Sequence, residues 1–287
     1  MAALFIEVGK VSISIYSSSA EILNSVSQTA FSGIVSFSEK TGDIQYEISI
    51  SDGKYYLSRN AKLTHRNRKI ENILFSLEWQ IVDDLLRGNF DLLQFHGAAL
   101  ERDNRAWILL GIGGSGKTSS CISLMKSGWR LLSDEVVLIN PKTLHAIPFP
   151  RNLIIKPHLT DYVDIPHNLQ KLKIDTESNG KQTAYFLSPL TLGKISQKVS
   201  IPIKKIFFIQ QSETTDFKIE KVGQFDAFNQ LISLLFNSSS FKFKTTNILL
   251  SLINSIPIHK LRIRNPLQLV DGLEYNLLKT DENLRYS

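Results

Sequence analysis

The chain has 287 residues, 43% of them apolar, a single cysteine and a formal net charge of +6. That length and apolar content suit one large domain or two modest ones with an ordinary buried core, while one cysteine excludes an intrachain disulfide and argues against a cysteine-based zinc site. The charge excess lies wholly in the second half, where residues 151–287 carry 18 basic and 12 acidic side chains against 15 and 15 in residues 1–150; it fits nucleotide phosphates or an acidic partner, and no basic stripe interleaved with aromatics points to nucleic acid.

The opening MAALFIEVGK has an acid at Glu7 and no basic cluster ahead of a long apolar run, so neither a secretory signal nor a transit peptide is expected. Apolar runs at 206–209 and 248–253 fall far short of the about 20 residues that a bilayer requires, and a cytoplasmic protein without a membrane partner is expected. Residues 3–16 and 30–58 alternate apolar and polar positions and are broken by Thr41-Gly42-Asp43 and Ser51-Asp52-Gly53, which predicts an antiparallel N-terminal sheet. From Lys69 to Arg87 the period becomes helical, with Ile73, Leu74, Leu77, Trp79, Ile81, Val82, Leu85 and Leu86 on the apolar side and Gly88 as the stop. The expected division is a β-rich region over 1–88, ending in this helix, and a nucleotide-binding core over 89–287.

That core begins with LLQFHGAALERDNRAWILLG, two apolar runs about a polar hinge, read as a hairpin. With Asp103 and Asn104 as its central turn residues, His96 faces Gly111. A helix is predicted over Lys117–Ser127, closed by Gly128, followed by WRLL, the acid pair Asp134-Glu135 and the apolar run VVLI. Both acids are expected on the strand beside the one that feeds the glycine loop. Residues 157–200 are polar and poorly periodic, with 177–181 least structured, and suit a loop or lid. IKKIFFIQQ then reads as a buried strand, FDAFNQLISLLFN and TTNILLSLINS as helices, and IPIHKLRIR as a late strand.

The chemistry concentrates in GIGGSGKTSS, where Gly111 is separated by four residues from Gly116-Lys117-Thr118, the full spacing of a phosphate-binding loop. Gly111, Gly113, Gly114 and Gly116 let backbone N–H groups converge on phosphate oxygens, with Ser115 and Ser119 completing the loop and the first helical turn. Lys117 supplies charge at the β and γ phosphates and the Thr118 hydroxyl is placed for Mg²⁺, while the helix N-terminus adds its dipole. Transfer also needs a metal site and a proton acceptor, and Asp134 and Glu135 are the candidates. Taken on spacing alone, His96 is equally a core histidine, and Arg151 equally a surface charge after a turn. Cys121, one turn past the loop, reads as a small core residue.

HGAAL, GIGGSGKTSS, GWRLLSDEVVLI and PFPRNLIIKP together resemble the core of the HPr kinase/phosphorylase family, which shares its nucleotide-binding core with phosphoenolpyruvate carboxykinase. The resemblance covers about residues 90–160. It implies an α/β phosphate-loop core with a mixed sheet, ATP and Mg²⁺ as cofactors, and oligomers of the kind its relatives form. It further implies that Asp134 takes the serine hydroxyl proton, that Glu135 helps hold the metal with Thr118 and Asp134, and that His96 and Arg151 lie at the phosphates. Residues 160–200 lack the glycine-rich signature that serves phosphorolysis in bifunctional members, and residues 1–88 are unlike their accessory domain. The chain is more similar to compact kinases encoded beside lasso-peptide biosynthesis genes, which phosphorylate the C-terminal serine of a precursor peptide. The expected function is an ATP- and Mg²⁺-dependent serine kinase acting on a peptide or small protein, with an HPr-type kinase or a non-catalytic nucleotide sensor as alternatives. A GTPase switch is set aside, because the guanine-reading Asn-Lys-x-Asp element is missing from the chain.

Overall fold

The computed structural model describes residues 3–29, 31–155, 170–176, 180–214, 217–266 and 268–273. Two units divide the chain, one formed by Met1–Phe90 with Phe149–Thr191 and the other by Asp91–Pro148 with Leu192–Ser287. The segment after Pro148 clusters with the N-terminal unit, a long-range grouping that local patterning does not encode.

The first unit opens with β1 (Ala3–Val8), β2 (Val11–Ser17), α1 (Ala20–Thr29), β3 (Val35–Ser38), β4 (Ile44–Ser51), β5 (Lys54–Arg59), β6 (Lys62–Asn67) and α2 (Ile70–Gly88). Its six-stranded sheet has the order β3-β1-β2-β4-β5-β6. The sheet is not wholly antiparallel as expected, since β2 and β4 run parallel. The reason is topological: α1 and β3 intervene, β3 pairs with β1, and the long crossover returns β4 to the free edge of β2 in the same direction. Asp52 and Gly53 turn the β4–β5 hairpin with φ of 49° and 66°, the left-handed pair that a two-residue hairpin requires.

The helix predicted from periodicity is α2, and it buries Ile73, Leu74, Leu77, Ile81, Val82 and Leu85 together with two acids, Glu78 and Asp84. Each acid has a partner that makes burial tolerable. Asp84 receives Tyr46 Oη at 2.6 Å and Arg59 Nε and Nη2 at 2.8 Å each, and Glu78 pairs with Arg151. Trp79, assigned above to the apolar side, is instead 62% exposed and meets Phe75 edge-on.

The chain continues in the second unit with β7 (Leu93–Arg102), β8 (Arg105–Leu110), α3 (Lys117–Lys126), β9 (Arg130–Ser133), β10 (Val136–Ile139) and β11 (His145–Ile147). It then adds β12 (Leu153–Ile155), β13 (Gln170–Thr176) and β14 (Gly180–Leu187) to the first unit as a three-stranded antiparallel sheet in the order β12-β14-β13. Much of the expected loop over 157–200 is therefore strand; residues 156–169 and 177–179 lie outside the described residues. The single-turn α4 (Pro189–Leu192) follows. The remainder is β15 (Lys194–Ile195), β16 (Ile201–Gln211), β17 (Phe217–Lys221), α5 (Gln224–Leu234), the short α6 (Ser238–Phe241), α7 (Thr245–Ser255) and β18 (Ile258–Ile263).

These strands form one nine-stranded mixed sheet in which β7, β8, β16, β11 and β10 pair successively and close back on β7. One core joins inward residues of the strands, among them Phe95, Ile108, Val137 and Phe208, to Leu231 of α5 and Leu249 and Leu252 of α7. On the other side α3 lies against β7 and β9. The chain is a mixed α/β protein, and among the described residues no helix is long and apolar enough to cross a membrane.

Candidate functional site

The hairpin that positions the site is set by its turn. Asp103 and Asn104 have φ of 50° and 61°, the conformation that a two-residue hairpin turn needs and that Asp and Asn tolerate. The pairing runs from Arg102↔Arg105 to Gly97↔Leu110, so His96 stands one step beyond the last pair, level with Gly111 as expected. Gly97 lets the strands close there: a Cβ would lie 2.5 Å from Leu110 Cδ2 and 2.9 Å from the Leu109 carbonyl oxygen.

After Leu110 the chain leaves the sheet and enters the glycine loop. Gly114 and Gly116 take φ of 81° and 93°, where a Cβ is strained. Gly111 serves a different need, because a Cβ on it would meet Ser115 Oγ at 2.7 Å and the Ile209 carbonyl oxygen at 2.9 Å. Gly113 and Gly114 face open space. Gly116 caps α3, and its carbonyl accepts from the Ser120 N–H at 2.9 Å. Ser115 and Ser119 are buried at the base of the loop and in the first turn of α3. Lys117 is buried as well, and its Nζ donates to the carbonyl oxygens of Gly111 at 2.8 Å and Ile112 at 2.9 Å. The ammonium thus sits inside the curve of the loop, where an anion reached by the same amides would meet it.

The acid pair is placed differently from expectation. β9 and β10 both pair with β7, not with the loop strand β8, and the pairs that flank Asp134-Glu135 are in step, Ala99 facing Ser133 and His96 facing Val136, with β9 shifting by one residue only beyond Ala99. They are one strand interrupted by two residues. At the interruption Glu135 takes a φ of 71°, its carbonyl accepts from the Gly97 N–H at 3.2 Å, and the Ser133 hydroxyl donates across the gap to the Val136 carbonyl. The two carboxylates meet different partners. Asp134, 1% exposed, accepts from Thr118 Oγ1 at 3.0 Å. Glu135, with a side chain 40% exposed, brings Oε2 to 3.7 Å from His96 Nδ1.

His96 is therefore held between a cation and an anion. Burial and then the charge of Lys117 lower its pKa from the ordinary 6.5, while Glu135 opposes them. Cys121 is buried, and burial pushes its thiol well above the ordinary range, which suits a core residue and not a nucleophile.

Lys117, Thr118, Asp134, Glu135 and His96 are thus brought together within the second unit. Arg151 belongs to the first unit, where it is buried and paired with Glu78. Among the described residues no group of three or more His, Cys, Asp or Glu side chains could hold a metal. Thr118, Asp134 and Glu135 offer one hydroxyl and two carboxylates, a sparse oxygen set of the kind that Mg²⁺ completes with phosphate and water. One residue escaped the sequence reading. Phe236, 55% exposed, places its ring 5.8 Å from that of His96. From sequence it falls inside the predicted helix FDAFNQLISLLFN, whereas α5 ends at Leu234 and leaves Phe236 beyond it.

No family model matches the chain, and no curated protein matches it. Among solved structures, the Hpr(Ser) kinase/phosphatase from Coxiella burnetii is similar at 13% identity and a TM-score of 0.34, over 67% of this chain and 95% of that one. So low a score leaves the reading of the site to its own geometry.

Proposed function

We propose that this chain is a phosphotransferase that moves the terminal phosphoryl group of ATP to a serine hydroxyl of a peptide or small protein. One observation carries the reading: the Thr118 hydroxyl, at the start of the helix that follows the glycine loop, is bonded at 3.0 Å to the buried carboxylate of Asp134. A hydroxyl and a carboxylate meeting at the mouth of a loop with this spacing are the parts that phosphoryl transfer requires beyond phosphate binding alone.

In this reading the loop amides and Lys117 bind the β and γ phosphates. Thr118, Asp134 and Glu135 would hold Mg²⁺, which neutralises charge on the phosphate oxygens. Asp134 takes the proton of the acceptor hydroxyl as its oxygen bonds to the γ phosphorus and the bond to the bridging oxygen breaks. His96, whose pKa burial and then Lys117 lower while Glu135 opposes them, donates or accepts a hydrogen bond there. By the resemblance, Arg151 serves phosphate as well, and leaving Glu78 is then a condition of that role. A second assignment is favoured by exposure: Asp134 is closed against Thr118, whereas Glu135 is open beside His96, which suits Asp134 to the metal and Glu135 to the proton.

The test uses ATP–Mg²⁺ with the C-terminal serine of a lasso-peptide precursor as first acceptor and HPr for comparison. Asp134→Asn should retain ATP binding and lower kcat by about 10² or more. Parent-like transfer by Asp134→Asn, with Glu135→Gln inactive, exchanges the two roles. A parent protein that binds ATP yet labels no acceptor is a sensor, and the phosphotransferase reading fails.

A further inference from the structure

Phe236 is held too firmly for a ring left in water. After α5 the chain returns to the start of β7: Phe95 and Leu235 form a bridge, the Phe236 N–H donates to the Gln94 carbonyl at 2.8 Å, and Asn237 both accepts from the Gln94 N–H at 3.1 Å and donates to the Leu92 carbonyl at 2.8 Å. Leu235 is buried in the core beside this clip. The backbone on either side of Phe236 is therefore fixed to the strand that carries His96, while the ring is more than half exposed and tilted 56° against the imidazole. A large apolar surface presented by a fixed backbone loses little entropy on contact with a ligand, which is the character of an anchor residue.

The ring's neighbours give its side of the site. Phe236 meets His96, and His96 stands 3.7 Å from Glu135, whose side chain is 40% exposed while Asp134 is closed against Thr118. Through His96 the ring stands beside the acid that is open to an arriving hydroxyl. We propose that Phe236 is a specificity-determining residue that packs against an apolar side chain flanking the acceptor serine. This inference rests on the phosphotransferase reading for the identity of its ligand, but the ring's contact can be measured without transfer.

The experiment uses the full-length protein and a positional library of short peptides, each with one serine and varied flanking residues. Labelling from γ-labelled ATP with Mg²⁺ is measured alongside peptide retention in the presence of a non-hydrolysable ATP analogue. The parent should favour Leu, Ile or Phe over Gly or Asp at one flanking position by about tenfold in both measurements. Phe236→Ala should flatten that preference to near unity and Phe236→Leu should keep part of it. Affinities for ATP and for inorganic tripolyphosphate should stay at parent values in both variants. A flank preference that survives in Phe236→Ala, or serine peptides labelled by the parent with no preference, overturns the inference and leaves the phosphotransferase standing. Weakened ATP binding with parent-like tripolyphosphate binding in Phe236→Ala also overturns it, since the ring would then be serving the base. A parent that retains apolar-flanked peptides but labels none sinks the phosphotransferase reading and supports the ring's contact. Neither retention nor labelling overturns both.

Discussion

Replacing Glu135 by alanine and by glycine gives a test in which the sign of the result matters more than its size. At an ordinary extended position alanine is more stable than glycine by roughly 0.5–1 kcal/mol, because glycine loses more freedom on folding. Glu135 has a φ of 71°, where any Cβ costs about 1–2 kcal/mol, and its carbonyl is tied to the Gly97 N–H, so the backbone cannot relax without losing that bond. Both variants delete the same carboxylate and the same approach to His96. The difference between them isolates the backbone, and glycine should be ahead by on the order of 0.5–1 kcal/mol, a gap in Tm of about 2 °C. Urea unfolding followed by tryptophan emission reads it directly, because Trp107 and Trp129 pack edge-to-face in the second unit while Trp79 is exposed in the first. Alanine equal to or more stable than glycine would refute the reasoning, and with it the view that the strand break stores backbone strain at Glu135. Turnover should fall in both variants by a similar factor.

Gly97→Ala should destabilise the second unit by about 1–3 kcal/mol, since its Cβ meets the Leu109 carbonyl oxygen at 2.9 Å; denaturant midpoints measure this, and parent-like stability would show that the hairpin opens freely there. Tyr46→Phe removes one of three hydrogen bonds to the buried Asp84 carboxylate and should cost about 1.5–3 kcal/mol in the first unit, read by calorimetry. His259 has its pKa lowered from 6.5 by burial and then by Lys205 and Lys221. Below pH 6.5 the unfolded chain takes up a proton that the folded chain refuses, so this histidine's contribution to stability falls as pH drops from 6.5 to its folded value. An imidazole titration by NMR should show that lowered value, and Lys205→Met should raise it; a titration at 6.5 in the parent would refute the assignment.

How far the residues alone led depends on the range of the interaction that decides each feature. The β7–β8 register was legible because Asp103 and Asn104 are residues that accept left-handed φ, and a two-residue turn leaves the pairing no freedom. The helices α2, α3, α5 and α7 follow from local period and punctuation, and the glycine loop from its own spacing. What failed was long-range. Nothing local shows that β9 pairs with β7 in place of β8, that β2 and β4 run parallel, or that the segment after Pro148 clusters with the N-terminal unit. Ala61 turns a hairpin at φ 61°, a position where alanine carries no signal. Glu78 and Asp84 sit on the buried side of α2 because Arg151, Tyr46 and Arg59 meet them there, and these partners are distant in sequence. At the site, the loop lysine, the threonine and both acids were named from sequence, while Phe236 depended on a backbone clip visible only in three dimensions.

One strand touches every part of this arrangement: β7 carries the imidazole, borders the strand break, pairs with the hairpin arm that leads into the glycine turn, and anchors the return that presents the phenyl ring. The reactive groups share a single chassis, so they cannot be re-aimed one at a time. On the proposed phosphotransferase reading, adaptation to a new acceptor is confined to what is bolted onto that chassis, while the turn at Gly113 and Gly114 keeps open space around it.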